Sequence, residues 1–155
     1  MPADSERGPD LVSVPHTWRP LGPRIAGAVG GLLLLVLFMA AWFAFDDETR
    51  ARFNVIQIGT LALLWVIGAG AMNALVRSRV VAERDRLVVV NGYRRRELDW
   101  AEIVAVRLPP GAPWVTLDLA DGDTMSAMGI QGSDGDRARR AVRQLRALVD
   151  QPPNR

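Results

Sequence analysis

Two long uncharged runs constrain the fold of this chain more than any other feature. They cover residues 25–45, IAGAVGGLLLLVLFMAAWFAF, and residues 54–76, NVIQIGTLALLWVIGAGAMNALV. A helix rises ~1.5 Å per residue, so the 21 residues of the first run span ~31 Å and can cross a hydrocarbon core of ~30 Å. This run also exceeds the ~7–15 apolar residues of a signal peptide. We therefore predict two transmembrane helices rather than a cleaved signal or two buried helices of a soluble core.

The flanking charges predict how these helices are oriented. Residues 46–53, DDETRARF, are the only connection between them, so the helices are expected to form an antiparallel hairpin with a short extracytoplasmic loop. Most arginines near the hairpin lie outside this loop: Arg19, Arg24, Arg77, Arg79, Arg84 and Arg86, against Arg50 and Arg52 within it. Because the cytoplasmic flanks of membrane helices are rich in arginine and lysine, we predict a multi-pass cell-membrane protein with both termini in the cytoplasm.

Small residues within the runs allow close helix contacts. Gly27 and Gly31 are four positions apart, as are Gly70 and Ala74, and such pairs favour packing either within the hairpin or between two copies of the chain. Neither run contains an acidic or a basic residue. Proton relays and ion pathways depend on such residues, so a transporter is not predicted.

The composition argues against an enzyme. The 155 residues include no cysteine and a single histidine, His16. This histidine lies in the N-terminal segment 1–23, which is rich in proline, glycine and charge and is predicted to be disordered. Thiol nucleophiles and histidine-dependent triads are therefore not expected. The acidic residues lack the spacing of a metal site, so we predict no metal, no cofactor and no small-molecule substrate.

The charge argues against a nucleic-acid-binding protein. The formal net charge is only +2, and all 19 basic side chains are arginine. A charge this small does not create the field that attracts a polyanion. Nucleic acid is therefore not an expected partner.

Residues 77–150 have the pattern of a small antiparallel β-domain that ends in one helix. Short apolar runs separated by turn residues predict strands at 79–82, 86–90, 93–98, 103–108, 115–119 and 124–128. Apolar residues then recur with helical spacing from Ala138 to Val149. This predicts an amphipathic helix over about 134–150, with Ser133 as its N-cap and residues 151–155 as a tail.

The dipeptide Asn91-Gly92 is a strong hairpin signal. As the central residues of a type I′ turn, the two would join the strands 86–90 and 93–98 and place Arg86 directly opposite Glu97. A cross-strand pair of opposite charges is expected to stabilise the hairpin by ~0.2–1 kcal/mol.

Three consecutive arginines occupy the second strand of this hairpin. Alternation puts Arg94 and Arg96 on one face and Arg95 on the other, so the three do not form a single phosphate clamp. Leu98 shares the face of Arg94 and Arg96, which leaves open the face that belongs to the core.

Three segments of this region resemble a known family. They are LVRSRVVAERDRLVVVNGYRRRELDWAEI, LPPGAPWVTLDLADGD and IQGSDGDRARRAV. Together with the two spans, they make the chain similar to the actinobacterial low molecular weight protein antigen 6 family, which carries a pleckstrin-homology (PH) domain. The resemblance implies a PH-like antiparallel barrel or meander over residues 77–150, closed by one C-terminal helix. It implies no known activity.

Two functions from different classes fit these observations. The first is a non-enzymatic, membrane-tethered interaction or scaffold module of the cell envelope, whose partner is an envelope protein or a second copy. The second is a sensor of anionic lipid headgroups at the inner leaflet, contacted by Arg77, Arg79, Arg94 and Arg96. Arginines near such a surface contribute ~1 kcal/mol each, but the end of any membrane helix is expected to carry them. The first function is therefore favoured.

Overall fold

The structure is a computed structural model that describes residues 12–153. A hairpin of two long helices is followed by two antiparallel sheets and a final helix. The elements are β1 (His16–Trp18), α1 (Gly22–Ala44), α2 (Asp47–Ala51), α3 (Val55–Arg77), β2 (Arg79–Ala82), β3 (Arg86–Asn91), β4 (Arg94–Asp99), β5 (Ile103–Arg107), β6 (Trp114–Leu119), β7 (Thr124–Gln131) and α4 (Asp136–Asp150). Short 3-10 turns, Trp100–Glu102 and Gly132–Asp134, precede β5 and α4.

The two uncharged runs form the long helices α1 and α3, whose apolar side chains are exposed. Each helix has 23 residues, and only 6% of the most apolar part of α1 and 0% of that of α3 is buried. The Arg24 guanidinium donates to the Val76 carbonyl at 3.0 Å, and the rings of Phe38 and Trp65 meet edge-on at 6.4 Å. By length and composition, both helices are able to cross a membrane.

The small residues of the hairpin are not all used for packing between α1 and α3. A methyl group built on Gly27 would overlap the Met72 side chain, so this glycine permits a close helix contact. A methyl group built on Gly31 or on Gly70 would meet no neighbouring side chain or strand within 4 Å. The hairpin contact therefore accounts for one of these glycines and leaves the surface at the other two open.

The strands form two antiparallel sheets with the orders β1-β2-β3-β4 and β5-β6-β7. This arrangement is consistent with the predicted PH-like meander. The prediction of a closed barrel is corrected, because within residues 12–153 no strand of one sheet pairs with a strand of the other. The 3-10 turn Trp100–Glu102 interrupts the chain between β4 and β5, so these consecutive strands belong to different sheets.

The two sheets meet at one corner, where β7 crosses β2 and β3. A methyl group on Gly129 would lie 2.5 Å from the backbone nitrogen of Val80, so only glycine allows this approach. The Asn91 side chain bridges the same corner: its amide donates to the Ser126 carbonyl at 2.6 Å, and its oxygen accepts from the Met128 N–H at 2.9 Å.

Residues 12–23, within the segment 1–23 predicted to be disordered, include a strand and the start of α1; residues 1–11 lie outside the described residues. The strand β1 pairs antiparallel with β2. Trp18 is buried in the core, and its indole N–H donates to the Gln144 side chain of α4 at 3.1 Å. Burial of so large an aromatic side chain offsets the entropy lost when the segment is ordered.

The β3–β4 hairpin has a different turn from the one predicted. Asn91 pairs with Arg94, so Gly92 and Tyr93 are the central residues of the turn. Gly92 has a φ of 63°, whereas no described residue other than glycine has a positive φ. A type I′ turn needs positive φ at both central positions, so the prediction of that type is wrong. The contacts of the Asn91 side chain with β7 explain the change, because they hold Asn91 within the strand.

The register shifts by two positions in consequence. Arg86 lies opposite Asp99 rather than Glu97. The predicted ion pair nevertheless forms along the diagonal, with Arg86 Nη1 2.7 Å from Glu97 Oε2. Because side chains alternate with a period of two, a shift of two positions keeps every residue on its predicted face.

The final helix packs its apolar stripe into the core formed by both sheets. Leu145 is fully buried there together with Leu87 and Leu117. The helix begins at Asp136, after Gly135 with a φ of 58°, and has no side-chain cap of its own. The prediction that Ser133 caps it is therefore wrong, since Ser133 lies in the preceding 3-10 turn.

Candidate functional site

The hairpin and the β-domain meet at a junction made of two separate contacts. In the first, the Asp134 carboxylate caps α1, accepting from the backbone N–H of Leu21 at 3.1 Å and of Gly22 at 2.8 Å. The N-cap residue Leu21 supplies no side-chain cap. The first N–H groups of a helix lack intrahelical partners and carry partial positive charge, so the carboxylate provides both hydrogen bonds and charge balance. Asp134 thus joins the start of α1 to the β-domain.

In the second contact, the turn Gly92–Tyr93 lies against the last turns of α3. The Gly92 N–H donates to Ser78 Oγ at 2.9 Å, and this buried hydroxyl donates to the Ala74 carbonyl at 3.1 Å. A methyl group on Gly92 would lie 3.3 Å from that of Ala74. The positive φ favours glycine here, and a side chain would also press against Ala74.

Tyr93 remains exposed although it contacts α3. Its hydroxyl donates to Asn73 Oδ1 at 3.2 Å, while 67% of the residue is accessible. The Arg77 guanidinium lies 5.5 Å from the centre of the ring, which is a cation–π distance. An exposed aromatic ring and a cation therefore lie together where the apolar surface of α3 meets the β-domain.

The four arginines predicted as headgroup contacts do not share one surface. Arg77 ends α3 and lies at the Tyr93 ring. Arg94 and Arg96 lie on one face of the sheet β1-β2-β3-β4. Arg79 lies opposite Val90, on the other face of the sheet, which it shares with Arg95. The structure thus separates Arg79 from Arg94 and Arg96.

Arg94 and Arg96 lie on the core-side face of β4 and are still exposed. On that face Leu98 pairs with Leu87 and is buried, whereas Arg96 pairs with Val89 and points to solvent. The strand is at the edge of its sheet, so its Arg94 end extends beyond the core. Within residues 12–153 neither Arg94 nor Arg96 forms an ion pair, whereas Arg95 lies 2.7 Å from Glu97.

A separate cluster of charges surrounds Arg86. Its guanidinium bonds Asp85 at 2.6 Å and Glu97 at 2.7 Å. The hydrogen bond from Arg86 lowers the pKa of the Asp85 carboxyl and is the largest cause of the lowered pKa of Glu97, and both carboxylates raise the pKa of Arg86. These ion pairs link the start of β3 to β4.

One cleft in the described part of the chain is lined by acidic side chains. Among residues 12–153 no group of three or more histidine, aspartate or glutamate side chains could hold a metal ion. A cleft of about 610 Å³ contains two carboxylates, Asp85 and Asp99. The Asp85 carboxylate accepts from Arg86. Asp99 is the N-cap residue of the 3-10 turn that begins at Trp100, and its backbone N–H donates to the Glu102 carboxylate at 2.8 Å.

Two comparisons identify the family. Residues 77–148 match the family model described as a bacterial PH domain. The chain is also 33% identical over 147 residues to Uncharacterized protein Rv1417 of Mycobacterium tuberculosis and to Uncharacterized protein Mb1452 of Mycobacterium bovis, covering 90% of this chain and 88% of each relative. The chain belongs to the bacterial PH-domain family. No solved structure matches it significantly.

The family match covers the strands from β2 onward and most of α4, and it leaves out β1. The matched region begins at Arg77, the last residue of α3, and ends within α4. The relatives align over 90% of the chain, so their similarity extends beyond the PH domain itself.

Asp134 and Tyr93 are the junction residues that sequence reasoning missed. Asp134 lies at the predicted start of the final helix, and its contact with Leu21 spans 113 positions. No local signal reveals a contact of that range. Tyr93 did have a signal: it is the only tyrosine of the chain and follows a turn glycine directly.

Proposed function

We propose that the chain is a multi-pass membrane protein in which α1 and α3 span the bilayer and the PH domain lies in the cytoplasm. The exposed apolar surface of both helices supports this, because such a surface is unstable in water. The excess of arginine around the outer ends of the hairpin supports the orientation. The resemblance of the sequence and the mycobacterial relatives support placement in the antigen 6 group of the family.

The function that the geometry supports best is that of a non-enzymatic interaction or scaffold module of the cell envelope. The observation that carries this proposal is the two-point junction, in which Asp134 holds α1 and the Gly92–Tyr93 turn contacts α3. Two separated contacts fix the orientation of the domain relative to the helices. A domain held in this way presents the same surfaces to a partner at all times, and PH domains are in general non-catalytic.

Photocrosslinking in cells that naturally produce the protein tests this role. A photoreactive amino acid placed at Arg95, Val104 or Arg139 samples both sheets and α4, since all three residues are exposed. We expect a discrete protein adduct from at least one position, either with another envelope protein or with a second copy. Uncrosslinked chain alone from all three positions would contradict the proposal.

A second candidate is the sensing of anionic lipid headgroups. The observation in its favour is that Arg94 and Arg96 are exposed on one face without an ion pair in the described part of the chain. Arg79 lies on the opposite face of the sheet, so it would contribute separately or not at all.

Hydrogen exchange over β4 in vesicles tests the second candidate. The full chain is needed, because a fragment that starts at residue 77 lacks the Trp18 side chain of the core. Anionic vesicles should slow exchange over residues 94–97 relative to neutral vesicles, and salt should reverse the effect. The double variant Arg94→Gln, Arg96→Gln should abolish the difference, whereas Arg95→Gln, on the other face, should retain it. Equal exchange in both kinds of vesicle would reject lipid sensing.

A further inference from the structure

We propose that the Gly92–Tyr93 turn is an interfacial anchor, with the Tyr93 ring at the boundary between hydrocarbon and headgroups and phospholipid phosphates bound by Arg77 and Arg94. The inference rests on the proposed insertion of α1 and α3. It adds Tyr93 to the lipid-contacting residues, which the sequence predicts to be arginines only.

The depth of Tyr93 follows from its position along α3. The helix has 23 residues, so it is ~34 Å long and extends ~4–5 Å beyond a hydrocarbon core of ~30 Å. The Tyr93 hydroxyl lies 3.2 Å from Asn73 Oδ1 and 3.4 Å from the Gly70 carbonyl. These residues precede Arg77 by four and seven positions, which is ~6–10 Å along the helix. Even with the whole excess at the Arg77 end, the hydroxyl is therefore ~1–6 Å on the hydrocarbon side of the boundary. The preceding residue Gly92 bonds Ser78, just beyond the end of α3, so the Tyr93 ring crosses the boundary between hydrocarbon and headgroups.

A tyrosine is well suited to that depth. Its ring is apolar and its hydroxyl is polar, and this is why tyrosine and tryptophan are enriched at the two membrane interfaces. The ring is 67% exposed, so it is free to contact lipid along the exposed flank of α3.

The charges around the ring complement a phosphate group. The Arg77 guanidinium lies 5.5 Å from the ring centre, and Arg94 follows Tyr93 directly and is exposed. Neither arginine forms an ion pair with a carboxylate among residues 12–153. One guanidinium at an exposed phenol and a second exposed arginine next to it in the sequence provide charge-assisted donors for phospholipid phosphates. An acidic protein partner at this depth would have to reach the headgroup layer, and that is less favourable than contact with lipid already present.

Spin labels on the full chain in phospholipid vesicles test the anchor directly. The chain contains no cysteine, so each single-cysteine variant carries one label without further changes. The informative variants are Tyr93→Cys and Arg94→Cys, the latter of which keeps the tyrosine in place. Arg84→Cys, in the turn at the other end of β3, is the aqueous control. Leu64→Cys, in the middle of α3, is the hydrocarbon control. For each spin label we compare its accessibility to oxygen, which concentrates in hydrocarbon, with its accessibility to a nickel complex, which stays in water.

The expected result is that labels at 93 and 94 lose nickel accessibility several-fold relative to 84 and gain oxygen accessibility, with 93 deeper than 94. Labels at 93 and 94 as aqueous as 84, with 64 in hydrocarbon, would overturn the anchor and leave the spans intact. A label at 93 shielded from both reagents would indicate a protein contact and would also overturn it. An aqueous label at 64 would overturn the insertion of α3, and with it the anchor.

Discussion

Among single residues, Asp134 has an unusual position, because its carboxylate caps a helix that lies more than a hundred positions earlier in the chain. Such a cap has two effects. It satisfies the first N–H groups of α1, and it determines where the PH domain sits relative to the hairpin. Asp136, only two residues later, has an ordinary role, since it pairs with Arg139 on its own helix.

Replacement of Asp134 should release the start of α1. Loss of a helix cap costs ~0.5–2 kcal/mol, so Asp134→Ala should speed hydrogen exchange at the amides of Leu21 and Gly22. Asp136→Ala is the matched control, because it removes a neighbouring aspartate and leaves α1 untouched. Equal exchange at Leu21 and Gly22 in both variants would show that the capping contact is absent in solution.

Gly129 is a second position at which one atom decides the packing. In Gly129→Ala the new methyl group would meet the backbone of β2, which cannot move aside as a side chain can. Overpacking of this kind costs ~1–3 kcal/mol, and thermal unfolding of the full chain in detergent should show a lowered midpoint. Gly59→Ala, with open space around it in α3, should leave the midpoint unchanged or raise it slightly. If the two variants unfold alike, the close approach of β7 to β2 is wrong.

At the scale of elements, the corner between the sheets depends on Asn91. The change Asn91→Ala removes the partners of the Ser126 carbonyl and the Met128 N–H, and each unsatisfied group costs ~1–3 kcal/mol where it is buried. Exchange at the Met128 amide should therefore become faster. Asn73→Ala should not affect Met128, because the Asn73 side chain contacts Tyr93. Slow exchange at Met128 in Asn91→Ala would contradict the bridge.

The charges at the other end of the β3–β4 hairpin predict a dependence on pH. The pKa values of Asp85 and Glu97 are lowered in the folded state, so their contribution to stability is present above their ordinary pKa and is lost as the pH falls through the lowered values. In Arg86→Gln the pKa values of Asp85 and Glu97 should rise. The free energy of unfolding should then fall less steeply below about pH 4 than it does in the unmodified chain. Titration of the carboxyl carbons by NMR measures this. Unchanged pKa values in the variant would refute the role of Arg86.

The elements themselves were largely accessible to sequence reasoning, whereas their connections were not. Periodicity and turn residues predict the strand Arg79–Ala82 and place the final helix within two residues of its start. The hairpin turn could not be predicted, because the side chain that holds Asn91 in β3 bonds to β7, 35 and 37 positions away. Short-range signals describe local preference, and such distant hydrogen bonds override it.

At the scale of the whole molecule, the apolar runs and turn residues predict the order of two long helices, short strands and a final helix, and the resemblance to a known family implies the PH-like fold. Neither predicts the inclusion of β1 in the domain. The segment around Trp18 is polar and rich in proline, and its strand forms only because the rest of the fold provides a sheet edge and a buried site for the indole. The chain before α1 and the chain after α3 therefore belong to one folded unit, which lies on one side of the hairpin.

This arrangement has a consequence for truncation. Trp18→Ala removes a buried aromatic side chain, for which losses of ~3–5 kcal/mol are typical. Denaturation of the full chain in detergent, followed by fluorescence, should show a large loss of stability of the PH domain although the change lies far outside residues 77–148. Thr17→Ala, at an exposed position of the same strand, should have little effect. Equal stability of the two variants would mean that β1 is not part of the domain.

The central claim is that α1 and α3 cross the bilayer and leave the PH domain on the cytoplasmic side. Because the chain has no cysteine, Glu48→Cys in the connector and Arg139→Cys on α4 each provide one reactive thiol at an exposed position. A membrane-impermeant maleimide applied to intact cells should label residue 48, and it should label residue 139 only after the membrane is permeabilised. Labelling of residue 139 in intact cells, or protection of residue 48 in them, would contradict the account.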